Sequence, residues 1–155
     1  MASASLTGRS ILLIEDEPLI ALDIQQALER EGAQVQTARS LASASRFVQH
    51  DNLSAAIVDL VLSDGDAGEI CEILKMRRIP FILHSGYPSC CRDAAAIIPK
   101  PARTDDLVIA LRDVLPAPKI QRHFFVSAAQ LRAYLNKKFP TKGLKQEFRR
   151  KSAGN

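Results

Sequence analysis

Ile11-Leu12-Leu13-Ile14-Glu15-Asp16-Glu17-Pro18 sets four apolar residues directly against three acids. An apolar run this short, closed at once by charge and followed by a helix-initiating proline, reads as a buried strand feeding a loop and then a helix. The same grammar returns along the chain. Ala55-Ala56-Ile57-Val58 is closed by Asp59, Phe81-Ile82-Leu83 is followed by His84 and Ser85, and Ala95-Ala96-Ile97-Ile98 leads to Pro99 and Lys100. A weaker, alternating run over Gln34 to Ala38 supplies one more strand. Helical-length periodic segments separate these runs, and strands alternating with helices imply a parallel sheet covered on both faces.

The helices are bounded by recognisable signals. Pro18 suits the first turn, Leu19, Ile20, Leu22, Ile24, Ala27 and Leu28 follow at helical spacing, and Gly32 stops the segment. Ser40 is positioned to cap a second helix reaching about His50, and Thr104 to cap a last one bearing Leu107, Val108, Leu111, Val114 and Leu115. A helix carrying Ile70, Cys71, Ile73 and Leu74 ends near Arg77-Arg78, after a loop holding Ser63-Asp64-Gly65-Asp66. The stretch from Tyr87 to Asp93 contains Pro88 and has room for a turn or two of helix at most. The pattern predicts a doubly wound, five-stranded, flavodoxin-like α/β fold with strand order 2-1-3-4-5 and a shortened fourth helix. In such a sheet ligands bind at the carboxyl edge, which is where Glu15, Asp16, Asp59, Ser85 and Lys100 fall.

Composition narrows the function. The chain has 155 residues, of which 46% are hydrophobic, enough for one core of ordinary domain size with residues left over. No apolar stretch approaches membrane-spanning length, so neither anchor nor signal segment is expected. Cys71, Cys90 and Cys91 lack metal-ligand spacing and make a poor disulfide framework, which fits a reducing, cytoplasmic setting. His50, His84 and His123 are scattered and read as ordinary side chains rather than an imidazole metal site. Charge is divided unevenly. Residues 1–118 carry 11 Lys and Arg against 16 Asp and Glu, whereas residues 119–155 carry 10 against 1. The expected organisation is a flexible N-terminus over residues 1–8, a domain over 9–116 and a basic, partly helical extension over 117–155.

ILLIEDEP, IVDLVLSDGD, FILHSGYP and IPKP, in this order and spacing, resemble the receiver domain of two-component response regulators, the CheY-like family. The resemblance implies that Asp59 accepts a phosphoryl group from a sensor histidine kinase or a histidine phosphotransfer protein. It further implies that Mg²⁺ is held by Asp16 directly, by Glu15 through water, by Asp59, and by the backbone carbonyl of Val61. Ser85 corresponds to the hydroxyl that bonds a phosphoryl oxygen, Lys100 to the amine that pairs with it, and Pro101 to the proline preceded by a cis bond. A protein of this kind is a phosphoacceptor regulator with self-catalysed phosphotransfer and dephosphorylation, not an enzyme acting on a separate substrate.

The residue types suit that chemistry on their own terms. A carboxylate attacking a phosphoryl group meets like-charge repulsion, so a hard cation and an ammonium must neutralise the incoming oxygens. Mg²⁺ takes carboxylate, carbonyl and water ligands, and crowded carboxylates raise one another's pKa until such an ion is bound. Glu17, by contrast, is read as a charge favouring the positive end of the first helix.

Some positions depart from the family pattern. Ile97 stands three residues before Lys100, where an aromatic switch is usual, and Tyr87 is the candidate to replace it. Only 14 residues separate Ser85 from Lys100, fewer than is usual. Ser63 occupies a position where proline is common, and Ala67 one where glycine is common. The extension is too short for a winged-helix or helix-turn-helix reader, and an amphipathic helix is expected over about Ser127 to Lys138. The leading expectation is a single-domain response regulator whose phosphorylation changes its affinity for a partner protein. The alternative is a receiver-controlled nucleic-acid-binding protein using the basic extension, and a third reading is a phosphate-shuttling intermediate. The plainest reading of the extension itself is a solvated segment with no specific partner.

Overall fold

The computed structural model describes residues 5–50, 52–86 and 93–115. Its elements, in chain order, are β1 (Ser10–Ile14), α1 (Pro18–Arg30), β2 (Gln34–Ala38), α2 (Leu41–His50), β3 (Ala55–Val58), β4 (Val61–Leu62), β5 (Gly65–Asp66), α3 (Gly68–Met76), β6 (Phe81–Ser85), β7 (Ala96–Pro99) and α4 (Thr104–Val114). Five strands form one parallel sheet in the order β2-β1-β3-β6-β7. This is the expected 2-1-3-4-5 order once the β4–β5 hairpin is set aside. The shortened fourth helix, Tyr87, Cys90-Cys91 and the extension lie outside the described residues.

Period-two alternation distributes the strands' side chains to two cores. Leu12, Ile14, Ala56, Val58, Phe81 and Leu83 pack with α2 and α3 in one cluster. Ile11, Leu13, Ala55, Ile57 and Ile82 pack with α1 and α4 in the other. Burying each large side chain stabilises the fold by about 1.5–3 kcal/mol. That is why the central strands are apolar on both faces.

The details refine the expectations. Leu6, expected in a flexible leader, is fully buried in the α1–α4 cluster, and the Gly8 amide donates to the Gly32 carbonyl at 2.9 Å. Gly32 follows α1 with φ +83°, and a Cβ there would come 2.9 Å from Thr7 Oγ1, so glycine is required at that close approach. On α1 the buried residues are Ala21, Ile24, Ala27 and Leu28, while Leu19 and Leu22 are exposed. Helical geometry explains the difference, because the buried stripe runs at i, i+3, i+6 and i+7 from Ala21 and leaves Leu19 and Leu22 to its sides. Ser40 does cap α2: its Oγ accepts from the Ser43 amide at 3.2 Å, and Ser43 Oγ accepts from the Ser40 amide at 3.2 Å. Thr104, by contrast, is the first residue of α4 rather than its cap, and Arg103 precedes it in extended conformation without a side-chain cap. The Thr104 hydroxyl donates to Asp23 on α1 instead, a tertiary partner that local sequence does not reveal.

The segment after Asp59, expected as a loop, is an antiparallel hairpin pairing Val61 with Asp66 and Leu62 with Gly65. Strands of two residues are too short to leave a periodic signal. Leu62 is buried in the α2–α3 cluster, which fastens the hairpin to the domain.

Candidate functional site

Parallel register brings the site together. Ile14 is paired with Val58, and Val58 with Leu83, so the residues that follow, Glu15, Asp59 and His84, stand side by side at the carboxyl edge. The ladder continues into them, with the Asp59 amide donating to the Ile14 carbonyl at 2.9 Å and the Glu15 amide to the Ala38 carbonyl at 3.1 Å. Ser85 pairs with Pro99, and the Lys100 amide donates to the Ser85 carbonyl at 3.0 Å, which delivers the lysine from the neighbouring strand. Ser85 is buried. The Lys100–Pro101 peptide bond is cis.

Glu15, Asp16 and Asp59 each offer a carboxylate oxygen within 4.8 Å of the others. Glu15 and Asp59 are 1% and 7% exposed, so this charge lies in the protein rather than on it. The Lys100 ammonium bridges them, donating to Asp59 Oδ2 at 2.6 Å and to Glu15 Oε2 at 2.8 Å. Further donors surround the acids: the Val61 amide reaches Asp59 Oδ1 at 3.1 Å, the Glu17 amide reaches Glu15 Oε1 at 3.3 Å, and the Ser63 amide reaches Asp16 Oδ2 at 2.7 Å.

These surroundings set the protonation chemistry. Burial raises the pKa of Glu15 above its ordinary value, and the Lys100 ammonium offsets this in part. For Asp16, slight burial works upward, but the hydrogen bonds from Ser63 outweigh it and lower the pKa. Burial works against the charge on Lys100, yet its bonds to Asp59 and Glu15 raise its pKa on balance and hold it as an ammonium. The arrangement suits a hard divalent cation: three carboxylates converge, and one ammonium leaves their combined charge negative.

Glu15, Asp16, Asp59 and Lys100, all expected from the sequence, are brought together, whereas Tyr87 lies outside the described residues. Two more belong to the site. His84, read from sequence as an ordinary side chain, is 4% exposed, with Nδ1 3.9 Å from Glu15 Oε2 and no hydrogen-bond partner for either ring nitrogen among the described residues. Burial holds its pKa below the ordinary histidine value, so the ring is neutral at neutral pH. Its position one residue beyond an apolar run was the available signal. Ser63 is the other, and its backbone amide, which donates to Asp16 at 2.7 Å, is a group that side-chain patterns do not report.

The model of the response regulator receiver domain matches residues 11–112, most of the chain. This chain belongs to the response regulator receiver family. Receiver domains bind Mg²⁺ through an acidic cluster, and this receiver has one. They take a phosphoryl group from histidine kinases or phosphotransfer proteins, and they act as phosphoacceptor regulators in phosphorelay signalling. The chain is 30% identical over 124 residues to the photosynthetic apparatus regulatory protein RegA of Rhodobacter capsulatus, covering 72% of this chain and 67% of that protein. Among solved structures, the CheY-like receiver domain protein from Methanospirillum hungatei matches with a TM-score of 0.64 at 25% identity, covering 69% of this chain and 93% of that one. The non-phosphorylated HemR receiver domain from Leptospira biflexa matches with a TM-score of 0.64 at 26% identity, covering 71% and 98%. Among the described residues no helix is long and apolar enough to cross a membrane.

Proposed function

We propose that this protein is a response regulator that accepts a phosphoryl group on Asp59 and thereby changes its affinity for a partner protein. The observation that carries this reading is the buried Asp59 carboxylate, held at once by Lys100 and beside two further acids. A carboxylate oxygen of Asp59 attacks the phosphorus of a phosphohistidine, the P–N bond breaks, and the imidazole leaves. Lys100 follows the charge from carboxylate to phosphoryl oxygen, and the Ser85 hydroxyl donates to a second phosphoryl oxygen. Glu15, Asp16, Asp59 and the Val61 carbonyl would hold Mg²⁺, which supplies charge neutralisation as the anionic groups approach. The exposed Leu19 on α1, which lines a cavity of about 500 Å³ together with Ile20, Asp23, His84 and Lys100, offers the phosphodonor protein an apolar surface beside the acceptor. Tyr87 is the proposed reporter of phosphorylation, since Ile97 lacks the aromatic ring usual at its position. Residues 9–116 form the phosphoaccepting module of a cytoplasmic protein in this reading, and residues 117–155 a separate basic extension.

The test is incubation with acetyl phosphate and Mg²⁺, comparing wild type with Asp59→Asn. Phosphate incorporation by the wild type and none by the variant is expected, and incorporation that persists in the variant rejects Asp59 as acceptor. The excess of 10 Lys and Arg over 1 acid in residues 119–155 favours a second reading, nucleic-acid binding by the extension. DNA and RNA retardation over a salt series checks it, and absence of retention at low salt removes it.

A further inference from the structure

Two hydrogen bonds tie the turn of the β4–β5 hairpin to distant parts of the chain. The Ser63 amide donates to Asp16 Oδ2 at 2.7 Å. The next residue, Asp64, accepts through Oδ2 from the Leu41 amide at 2.9 Å, at the first residue of α2. Because Leu62 pairs with Gly65, Ser63 and Asp64 are themselves the two residues of the turn. Gly65 has φ +140°, and a Cβ on it would approach Leu41 Cδ1 to 2.9 Å, so the hairpin rests on the residue that Asp64 bonds.

Leu41 contributes one of the amides that a helix leaves unpaired at its start, and Ser40 satisfies a different one, that of Ser43. Asp64 is therefore an anchor between hairpin and helix. A turn pinned on one side presents its other amide in a fixed direction. That amide is Ser63 N–H, and it engages one of the two oxygens of Asp16, leaving the second for another ligand. Asp16 is only half-buried, and without this bond its carboxylate would have to be ordered at the moment a cation arrives.

We propose that Ser63 and Asp64 are positioning residues for the cation: Asp64 pins the hairpin turn to the start of α2, and the pinned Ser63 amide orients Asp16 as a metal ligand. The proposal rests on the reading of the acidic cluster as a Mg²⁺ site. It makes the first turn of α2 part of the support of that site, although no residue of α2 belongs to the acidic cluster.

Calorimetric titration of MgCl₂ into the full chain tests this, with wild type, Asp64→Ala, Asp64→Asn and Ser63→Pro compared. Ser63→Pro installs the residue common at this position in receivers and so removes an amide donor that such receivers lack, Asp64→Ala removes the anchor, and Asp64→Asn keeps an acceptor oxygen. Roughly tenfold weaker Mg²⁺ binding is expected for Asp64→Ala and Ser63→Pro, the range typical of groups that orient metal ligands, with affinity near wild type for Asp64→Asn. A purely structural role for Asp64 would lower the melting temperature equally with and without Mg²⁺ and leave the dissociation constant alone. Equal Mg²⁺ affinity in all four proteins overturns the proposal while leaving the metal site standing. A wild type that binds no Mg²⁺ removes the site itself. Should Asp64→Ala fail to fold, Ser63→Pro decides: a tenfold loss supports the proposal and unchanged affinity overturns it.

Discussion

Between Ile14 and Glu15, and again between Val58 and Asp59, the parallel sheet changes character within a single residue. Ile14 and Val58 are register partners and wholly buried; Glu15 and Asp59 follow them and are almost as buried. Burial is the same in the two regions, but its sign in the free energy is not. In the sheet interior, removal of apolar surface from water stabilises the fold. At the edge, removal of carboxylates from water opposes it, and hydrogen bonds from one ammonium and several amides offset the cost. A receiver of this kind places its chemistry where the fold is least favourable and relies on the adjoining rows of Leu, Ile and Val to hold it there.

Truncation inside the sheet probes the first half of that contrast. Leu83→Ala, at a residue with no exposure, is expected to cost about 2–5 kcal/mol in chemical denaturation, with phosphorylation preserved in the folded fraction. Truncation at the edge should behave differently. Lys100→Met removes the donor at 2.6 Å from Asp59 and 2.8 Å from Glu15, leaving two buried carboxylates short of a partner at a cost of about 1–3 kcal/mol. Because the deficit is one of positive charge, Mg²⁺ should raise the melting temperature of Lys100→Met more than that of wild type. Equal responses would show that Lys100 does not share the neutralising role of the cation. A polar contact belonging to neither region gives the scale: Ser40→Ala loses the cap of α2 and is expected to cost about 1 kcal/mol.

The two regions were also legible in the sequence to different depths. The apolar runs of β1, β3 and β6 stand out because strands covered on both faces carry no polar interruption. Asp59 stands out because it closes such a run with a charge, and Lys100 because it follows the apolar run of β7 after a proline. The hairpin left a fainter trace. Strands of two residues have no periodicity, and the Asp64-Gly65 pair was the one turn signal that it carried. The bond from Ser63 to Asp16 could not be read at all, because any residue except proline supplies that amide. Thr104 looked like a cap from its local sequence and became a tertiary donor to Asp23 on α1. Local pattern revealed which residues lie at the edge, and only three-dimensional placement revealed what holds them.

The smallest expected effect on stability has the opposite sign from the others. Burial raises the pKa of Glu15 while Lys100 works against it, so the folded state favours the protonated carboxyl more than the unfolded chain does. Below about pH 4.5 the side chain is protonated in both states and carries no penalty. As pH rises from there through the raised folded value, the unfolded chain gives up its proton first, and stability declines. Glu15→Gln cannot ionise, so it should leave the metal-free protein more stable than wild type at neutral pH, with the advantage shrinking on acidification toward pH 4.5. The same substitution should weaken Mg²⁺ binding, since one anionic ligand is gone. Denaturation curves at pH 4.5 and pH 7, each with EDTA and with Mg²⁺, separate the two effects. A variant less stable than wild type at pH 7 in EDTA would mean that the Lys100–Glu15 bond outweighs the burial cost, and that the edge stabilises this fold as the interior does.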